Sequence, residues 1–352
     1  MIIFIIPYHK IGGAEKVHLE IIKSVNKLTD VIILFSSMED ENISREFIKN
    51  SKLVIILNSR ALRILVKAIL IIISHLFPIT ILGCNSDFFY SLLPRLNKKC
   101  NIIDLTHAFF FSNPEDKELV MKSVPYIKKR VVINRKIYDD YQNEYKSYGI
   151  DNSFLSRFQI IPNGVIIKEF DSNLIPSRFT DFRIGFVGRF SYEKRPELFL
   201  SLADSLSLNK IKAKIITDSF KLPRGVHQKI EIVEGINDPV ILRKEFSNIS
   251  LLIVPSLREG FPLVIMEAME LGIPVISTAV GSIEEHLHNG VNGYISDNIE
   301  SEDFLLFCKT KTLFLANNHK LYSDLSISAR QYAESHFNIN SFREEYRKIL
   351  LH

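Results

Sequence analysis

Short apolar runs alternate with longer amphipathic segments along almost the whole chain. The short runs are continuous in their apolar character, which is typical of buried parallel strands. The longer segments have helical spacing, as where Val17, Ile21, Ile22, Val25 and Leu28 share one face. The pattern therefore predicts repeated βα units, whose strands form parallel sheets covered by helices.

The predicted strands fall into two series. The first series is MIIFII, VIILF, LVIIL, ITIL, NIID and RVVIN, and the second is FRIGFVG, AKIIT, KIEIV, SLLIVPS and IPVIST. A polar, proline-containing segment near 163–181 separates them. We therefore predict two Rossmann-like α/β domains, at 1–165 and 166–334, and an amphipathic helix at 335–352 that packs across their junction.

The segment 64–82 is apolar enough to be mistaken for a membrane span. Lys67, His75 and Pro78 interrupt it, so an amphipathic or buried helix followed by a strand explains it better. The start, MIIFIIPYHK, has no basic residues before its short apolar run, so we expect no signal peptide. Three cysteines without metal-ligand spacing favour reduced thiols, and we expect a cytoplasmic protein.

Charge is distributed unevenly along the chain. Residues 1–165 contain 22 Lys and Arg against 16 Asp and Glu, whereas the remainder contains 22 against 24. The net charge of +4 argues against nucleic-acid binding as the main activity. The basic excess of the first half instead indicates an anionic partner or surface.

Two cations follow the first strand of the second series. Arg189 comes directly after Gly188, and Lys194 lies five residues later, ahead of a helix that begins near Pro196. Ligands bind at the carboxyl ends of parallel strands, and two cations beside helix N-terminal amides suit a diphosphate. A solvated basic loop paired with Glu193 is the alternative.

The segment VPSLREGFPLVIMEAMELGIPVIST predicts a strand, a loop and a helix. In that helix Glu267 has Leu263, Val264 and Leu271 at positions i−4, i−3 and i+4, so we expect it to share their buried side, whereas Glu270 is solvated more easily. A buried carboxylate needs a partner. A lysine or arginine would provide one, and so would the two hydroxyl donors of a sugar diol.

Five segments in this order resemble the signatures of family 4 retaining glycosyltransferases: GGAE, IIPNGV, VGRFSYEKRPE, EGFPLVIMEAMELGIPVIST and GSIEEHLHNGVNGYI. The resemblance spans 12–294 and is strongest from 185 onward. It implies the GT-B fold, with a cleft between two Rossmann-like domains. It also implies transfer of a hexose or N-acetylhexosamine from a UDP- or GDP-sugar with retention of anomeric configuration. The sequence contains no Asp-x-Asp motif, so we expect neither a metal ion nor another cofactor.

In the second domain, the resemblance assigns the donor diphosphate to Arg189 and Lys194 and the ribose hydroxyls to Glu267. It places Glu259 near the donor sugar. It also places the main chain of three further residues close to the sugar and phosphate, namely Gly260, Phe261 and Leu263.

In the first domain, the resemblance brings Gly12 and Gly13 close to the donor, because glycines permit close approach of the backbone. An ordinary tight turn is the alternative reading of that pair. His107 follows a predicted strand, where the family places a histidine near the transferred sugar; a structural histidine is the alternative. Ile166 and Ser282 depart from the family pattern, which usually has an aspartate and a second glycine there.

The predicted acceptor is a saccharide or a polyprenyl-diphosphate-linked saccharide, as in bacterial lipopolysaccharide or capsule assembly. Arg60, Arg63, Lys67 and the cluster KKR at 128–130 would hold the protein peripherally on the anionic inner face of the cytoplasmic membrane. A buried helix with a solvated basic rim is the alternative.

Other functions fit the predicted fold less well. A GT-B-type sugar-nucleotide epimerase needs acid and base residues that the sequence does not place, and a pyridoxal-type phosphorylase needs a cofactor lysine in a recognisable context. A non-catalytic sugar-binding protein would not explain the pair Arg189 and Lys194.

Overall fold

The computed structural model describes residues 1–7, 12–36, 44–109, 111, 113–218, 230–236 and 238–351. The chain forms two compact units, Met1–Asn163 with Asn340–His352, and Gly164–Ile339. The boundaries between the units fall at 163/164 and 339/340, whereas we expected domain boundaries at 165/166 and 334/335. Each unit contains one parallel sheet with helices, which is the predicted α/β architecture.

The first unit contains a seven-stranded parallel sheet in the order β3-β2-β1-β4-β5-β6-β7. Its strands are β1 (Ile2–Ile6), β2 (Val31–Phe35), β3 (Leu53–Ile56), β4 (Thr80–Gly83), β5 (Asn101–Thr106), β6 (Lys129–Val132) and β7 (Phe158–Ile160). Its first six helices are α1 (Gly13–Val25), α2 (Arg45–Lys49), α3 (Arg60–Leu76), α4 (Asp87–Leu92), α5 (Pro114–Lys122) and α6 (Arg135–Ser147). The strand order reverses between β1 and β4, because the chain adds β2 and β3 on one side of β1 and the later strands on the other.

The apolar pattern predicted β1 to β6 but missed β7. Strand β7 is only three residues long, contains the polar Gln159 and lies at the sheet edge, where its residues are not fully buried. Such a strand has no continuous apolar run by which to recognise it.

Helix α3 and strand β4 confirm the prediction of a helix followed by a strand over the apolar segment. Val66 and Leu70 of α3 face the core. Within the described ranges, no helix has both the length and the apolar character that a membrane span requires.

Asp104 and Arg130 form a buried ion pair between neighbouring strands. They occupy the same register of β5 and β6, and the guanidinium Nε lies 2.8 Å from a carboxylate oxygen. Tyr90 donates a hydrogen bond to the other carboxylate oxygen, and Arg130 itself donates to Tyr145. Arg130 therefore cannot contact a membrane, and the prediction that assigned it to a basic surface cluster is wrong.

The second unit contains a six-stranded parallel sheet in the order β10-β9-β8-β11-β12-β13. Its strands are β8 (Arg183–Val187), β9 (Lys212–Thr217), β10 (Ile230–Glu234), β11 (Leu251–Val254), β12 (Val275–Thr278) and β13 (Gly293–Ser296). Its helices are α7 (Leu174–Thr180), α8 (Pro196–Leu206), α9 (Pro239–Ser247), α10 (Leu263–Glu270), α11 (Ser301–Ala316) and α12 (His319–His336). Strand β13 was not among the predicted strands.

The C-terminal helix α13 (Ile339–Leu351) packs against the first unit. Arg343 forms an ion pair with Glu20 of α1, and Arg347 donates a hydrogen bond to the main-chain oxygen of Ser24. Gln159 of β7 donates to Glu345. The chain thus ends with a helix that belongs to the unit where it began, and packing across the junction stays a prediction.

Candidate functional site

The most promising site in the second unit lies where its strand order reverses, between β8 and β11. In open α/β sheets, loops at such a point diverge from neighbouring strands and leave room for a ligand. The loop after β8 carries Arg189 and Lys194, and the loop after β11 carries Glu259. The fold therefore places three predicted site residues on two adjacent loops.

These two loops are joined by side-chain and main-chain contacts. The Lys194 ammonium forms an ion pair with the Glu259 carboxylate, to which Ser256 also donates a hydrogen bond of 2.7 Å. The main-chain N–H of Leu257 donates to the carbonyl oxygen of Glu193 at 2.8 Å. Lys194 and Glu259 are therefore held at defined positions, each with a side chain that is only partly accessible.

Arg195, which the sequence analysis did not single out, fixes the same loop. Its side chain is buried and donates hydrogen bonds of 2.6 Å to the carbonyl oxygens of Pro255 and Ile299. It adopts a left-handed conformation with φ of 47° directly after Lys194. This arginine therefore has a structural role and is not part of a ligand-binding surface.

Arg189 differs from Lys194 in that its side chain is 68% exposed. One guanidinium nitrogen lies 4.0 Å from the carboxylate of Glu193, so the alternative pairing considered from the sequence does occur. An exposed pair at this distance contributes little energy. Arg189 can therefore exchange Glu193 for an anionic ligand at small cost.

Gly281 allows a third loop, after β12, to pack against the loop that carries Glu259. Its φ is +65°, and a Cβ atom there would lie 2.2 Å from the carbonyl oxygen of Glu259 and 2.4 Å from that of Gly260. The N–H of Ser282 donates to the same Gly260 oxygen at 2.9 Å. The main chain at 259–261 is thus fixed from two sides, and Ser282 takes part in this contact.

Phe261 and Leu263 begin the helical side of this loop. The Phe261 ring is buried against His286, with ring centroids 4.4 Å apart, and against Phe337. Leu263 is the first residue of α10 and follows Pro262 at the N-cap. Burial of the Phe261 ring fixes the path of the main chain from Gly260 to Leu263, which was the part predicted to approach a ligand.

The structure reverses the expected burial of two glutamates on α10. Glu270 is 2% exposed, and it accepts hydrogen bonds from Arg330, Arg243 and the main-chain N–H of Lys168. Glu267 is half-buried instead. The prediction failed because Leu263 and Val264, one turn before Glu267, are themselves only half-buried, although Leu271 one turn after it is buried.

In the first unit, Gly12 and Gly13 begin α1 after the first strand. Gly12 is the N-cap of the helix, and its N–H donates a hydrogen bond of 3.0 Å to the Glu15 carboxylate. A Cβ atom on Gly12 would lie 2.7 Å from that carboxylate, whereas one on Gly13 would meet nothing within 4 Å. The preceding residues, 8–11, lie outside the described residues.

His107 directly follows β5, as predicted. Its Nε2 atom lies 3.2 Å from Nε2 of His18 on α1, and the two rings meet edge to face. Burial lowers the pKa of His107 to about 4 and holds the pKa of His18 well below its usual value, so both rings are neutral at pH 7. His18 was not predicted from the sequence, although it lies four residues before Ile22 on an apolar helix face.

The two Rossmann-like units define the GT-B fold class, as predicted. The structure of Anabaena HepE in complex with UDP matches this chain with a TM-score of 0.77 at 17% identity, and the match covers 99% of each chain. At this identity the likeness shows the fold alone.

Residues 168–331 match the family model described as "Glycosyl transferases group 1". This segment lies within the second unit and contains Arg189, Lys194, Glu259 and Glu267. The second unit is therefore similar to the glycosyl transferases group 1.

Two curated relatives indicate the same family. An uncharacterized glycosyltransferase of Methanocaldococcus jannaschii is 27% identical over 200 residues, which is 54% of this chain and 53% of the relative. The capsular polysaccharide biosynthesis glycosyltransferase CapM of Staphylococcus aureus is 25% identical over 205 residues, which is 53% of this chain and 52% of the relative. The chain thus matches about half the length of these relatives.

Proposed function

We propose that this protein is a retaining glycosyltransferase that moves a hexose or N-acetylhexosamine from a nucleotide sugar to a saccharide or polyprenyl-diphosphate-linked acceptor. The observation that carries this proposal is the joint position of Arg189, Lys194 and Glu259 on adjacent loops where the second sheet reverses its strand order. This arrangement presents two cations and one carboxylate at the edge where α/β sheets bind nucleotides.

The difficult step of such a transfer is departure of the nucleoside diphosphate. Arg189 and Lys194 would stabilise the negative charge that develops on the leaving phosphate oxygens, an effect that commonly contributes a few kcal/mol. The bond from the anomeric carbon to the phosphate oxygen breaks, and the acceptor oxygen bonds to the same face of that carbon. The leaving phosphate oxygen accepts the proton of the acceptor hydroxyl.

Glu259 is suited to a different role because its carboxylate is already held by Lys194 and Ser256. We infer that the donor phosphate displaces Glu259 from part of the Lys194 ammonium, and that Glu259 then accepts hydrogen bonds from sugar hydroxyls. Glu267, half-buried on α10, would accept hydrogen bonds from the ribose diol.

Two similar proteins support particular donors and acceptors. HepE has been crystallised with UDP and with UDP-glucose, which favours a UDP-sugar among the possible donors. CapM is named for capsular polysaccharide biosynthesis, which favours a surface-polysaccharide acceptor. On the first unit, His107, Gly12 and Gly13 stay candidate contacts for the substrate.

We also propose that α3 attaches the protein peripherally to an anionic membrane surface. The helix exposes a continuous apolar stripe at helical spacing, in which Ile64 is 70% and Leu76 is 66% exposed. The stripe consists of Ile64, Leu65, Ile69, Ile72 and Leu76 and is continued by Phe77. A single helix face of this composition suits shallow insertion between lipid headgroups.

The charges around this stripe differ from those expected. Arg63 forms an ion pair with Asp87, and Lys67 donates a hydrogen bond to Ser91, so both are engaged with α4. Arg60 at the start of α3 is exposed. Near the C-terminal end of α3, the main-chain N–H of Asn97 donates a hydrogen bond to Ser74. The residues that follow Asn97, Lys98 and Lys99, are exposed. Exposed cations thus lie near both ends of α3, where they would be attracted to an anionic surface.

A panel of nucleotide sugars tests the enzymatic proposal. The unfolding temperature should rise with the correct donor because a ligand of the folded state stabilises it by mass action. Turnover of that radiolabelled donor with a saccharide or lipid-linked acceptor, and an unchanged anomeric configuration by NMR, would support a retaining transferase. Saturable binding without any turnover would instead indicate a sugar-binding protein.

A further inference from the structure

We propose that His18, Cys84 and His107 form a binding site for a borderline-soft divalent cation, with Zn²⁺ as the best match. Among the residues that the structure describes, their ligand atoms form a group in which every pair lies within 4.8 Å. Two imidazoles and one thiol are the donor types that Zn²⁺ prefers in proteins. The group lies in the first unit, whereas the cations proposed for the diphosphate belong to the second.

The fold brings these residues together from three separate elements. His18 lies on α1, which follows β1, whereas Cys84 directly follows β4 and His107 directly follows β5. Strands β1, β4 and β5 are neighbours in the sheet, so all three side chains gather near its carboxyl edge. The strand order of the first sheet reverses between β1 and β4, which is the usual position of a ligand in such sheets.

The distances suit a metal ion. In a tetrahedral site with two Zn–N bonds of about 2.0–2.1 Å, the nitrogen atoms are separated by about 3.3 Å. The Nε2 atoms of His18 and His107 are separated by 3.2 Å. The Cys84 sulfur lies within 4.8 Å of both ligand nitrogens and would need to move closer by a small rotation of its side chain. Three protein ligands leave a fourth position for water or another small ligand.

A hydrogen bond between the two imidazoles explains the same distance but not the whole arrangement. His18 is 1% exposed, and its Nδ1 atom has no hydrogen-bond partner among the described residues. A hydrogen bond between the imidazoles leaves the Cys84 thiol out of the interaction, whereas an ion bound at Nε2 of both rings would also bind that thiol. The His18 Nδ1 atom is not a ligand in this arrangement.

Metal binding would follow ordinary ligand-exchange chemistry. The Cys84 thiol loses its proton to solvent as the metal–sulfur bond forms, and both imidazoles bind in their neutral form. The hydrogen bond between the imidazoles is broken at the same time. If the proposed transfer reaction is correct, the ion would occupy the His107 nitrogen and inhibit the reaction. The binding itself does not depend on that function.

The test uses the purified full chain, freed of metal by chelator and dialysis and then titrated with Zn²⁺ and with Co²⁺. We expect one equivalent of Zn²⁺ per chain and, with Co²⁺, the charge-transfer absorption of a cobalt–thiolate bond. Cys84→Ser should abolish that absorption, and both Cys84→Ser and His107→Gln should weaken Zn²⁺ binding at least about tenfold.

Two other buried cysteines provide matched controls. Cys100→Ser and Cys308→Ser should leave the stoichiometry and the cobalt spectrum unchanged. Thermal unfolding of each variant shows whether it is folded. If Cys84→Ser does not fold, His107→Gln takes its place, because His107 is only half-buried. The proposal is overturned if the wild type binds no stoichiometric Zn²⁺, or if the control substitutions weaken binding as much as Cys84→Ser does. Neither result depends on a donor or an acceptor, so the proposed transfer function stands or fails separately.

Discussion

The ammonium group of Lys194 and the carboxylate of Glu259 form an ion pair that joins two loops 65 residues apart in sequence. The two side chains are 22% and 9% exposed, so the pair is shielded more than an ordinary surface pair. Each partner keeps the other in place in the absence of a ligand. A donor phosphate at Lys194 would therefore exchange one anionic partner for another, without the cost of desolvating a free cation.

Replacing Lys194 or Arg189 by Ala should lower turnover at least about tenfold, because each removes positive charge from the leaving phosphate. Initial-rate measurements with a radiolabelled donor would show the effect. Lys320→Ala, an exposed lysine of α12 whose partner is Asp324, is the matched control and should keep wild-type kinetics. Wild-type turnover in both site variants would contradict the proposal that Arg189 and Lys194 bind the diphosphate.

The two glutamates of α10 should respond differently to substitution. Glu267→Ala should weaken donor binding about tenfold, the loss expected from one charge-assisted hydrogen-bond partner, and leave folding unchanged. Glu270→Gln should instead lower the free energy of unfolding by about 3 kcal/mol, because it leaves two arginines without their shared carboxylate. Calorimetric titration and urea unfolding separate the two effects. Equal donor affinity in wild type and Glu267→Ala would contradict the ribose assignment.

Transfer should proceed without a divalent metal ion. The two cations on the loop after β8 can neutralise the diphosphate charge that a metal ion neutralises in other transferases. Activity should survive excess EDTA after extensive dialysis. If EDTA abolishes activity and Mg²⁺ or Mn²⁺ restores it, the proposed role of the cations is wrong.

The α3 stripe should bind anionic vesicles. Each nearby cation contributes about 1 kcal/mol at low ionic strength, and salt screens this attraction. The protein should sediment with phosphatidylserine-containing vesicles at low salt and be released at high salt. The triple variant Ile64→Ser, Ile69→Ser and Ile72→Ser should remain in the supernatant.

A matched control for this experiment is the double variant Val240→Ser and Ile241→Ser, which removes two exposed apolar residues from α9. It should sediment like the wild type. If the wild type does not sediment with anionic vesicles at low salt, or if the protein acts equally well on lipid-free acceptors, the membrane proposal fails.

Acid should destabilise the protein below pH 6.5 in part through two histidines. Burial lowers the pKa of His107 and of His286 to about 4, whereas an unfolded histidine has a pKa of about 6.5. Between these values the unfolded state binds more protons, so stability is present above pH 6.5 and is lost as pH falls toward 4. The urea midpoint should fall less between pH 7 and pH 5 in His286→Gln than in the wild type. The exposed His319→Gln should behave like the wild type.

The periodic apolar pattern determined much of the fold. Continuous apolar runs identified β1 to β6 and β8 to β12, because parallel strands covered on both faces need apolar residues at most positions. Strands β7 and β13, each at the edge of its sheet, were not identified. The same logic placed Arg189 and Lys194 on the loop after β8 and His107 directly after β5, since ligand-binding loops begin at strand ends.

Only the tertiary structure decided which polar groups meet. Sequence spacing did not show which of Glu267 and Glu270 is buried, because burial on a short helix depends on what packs against each face. Arg330 lies 60 residues from Glu270 and Arg130 lies 26 residues from Asp104, and no local pattern reveals either pair. The outward apolar face of α3 and the group His18, Cys84 and His107 likewise depend on which neighbours the fold supplies. Local periodicity determines the helices and strands. Ion pairs and hydrogen bonds between residues distant in sequence form only when those helices and strands pack together.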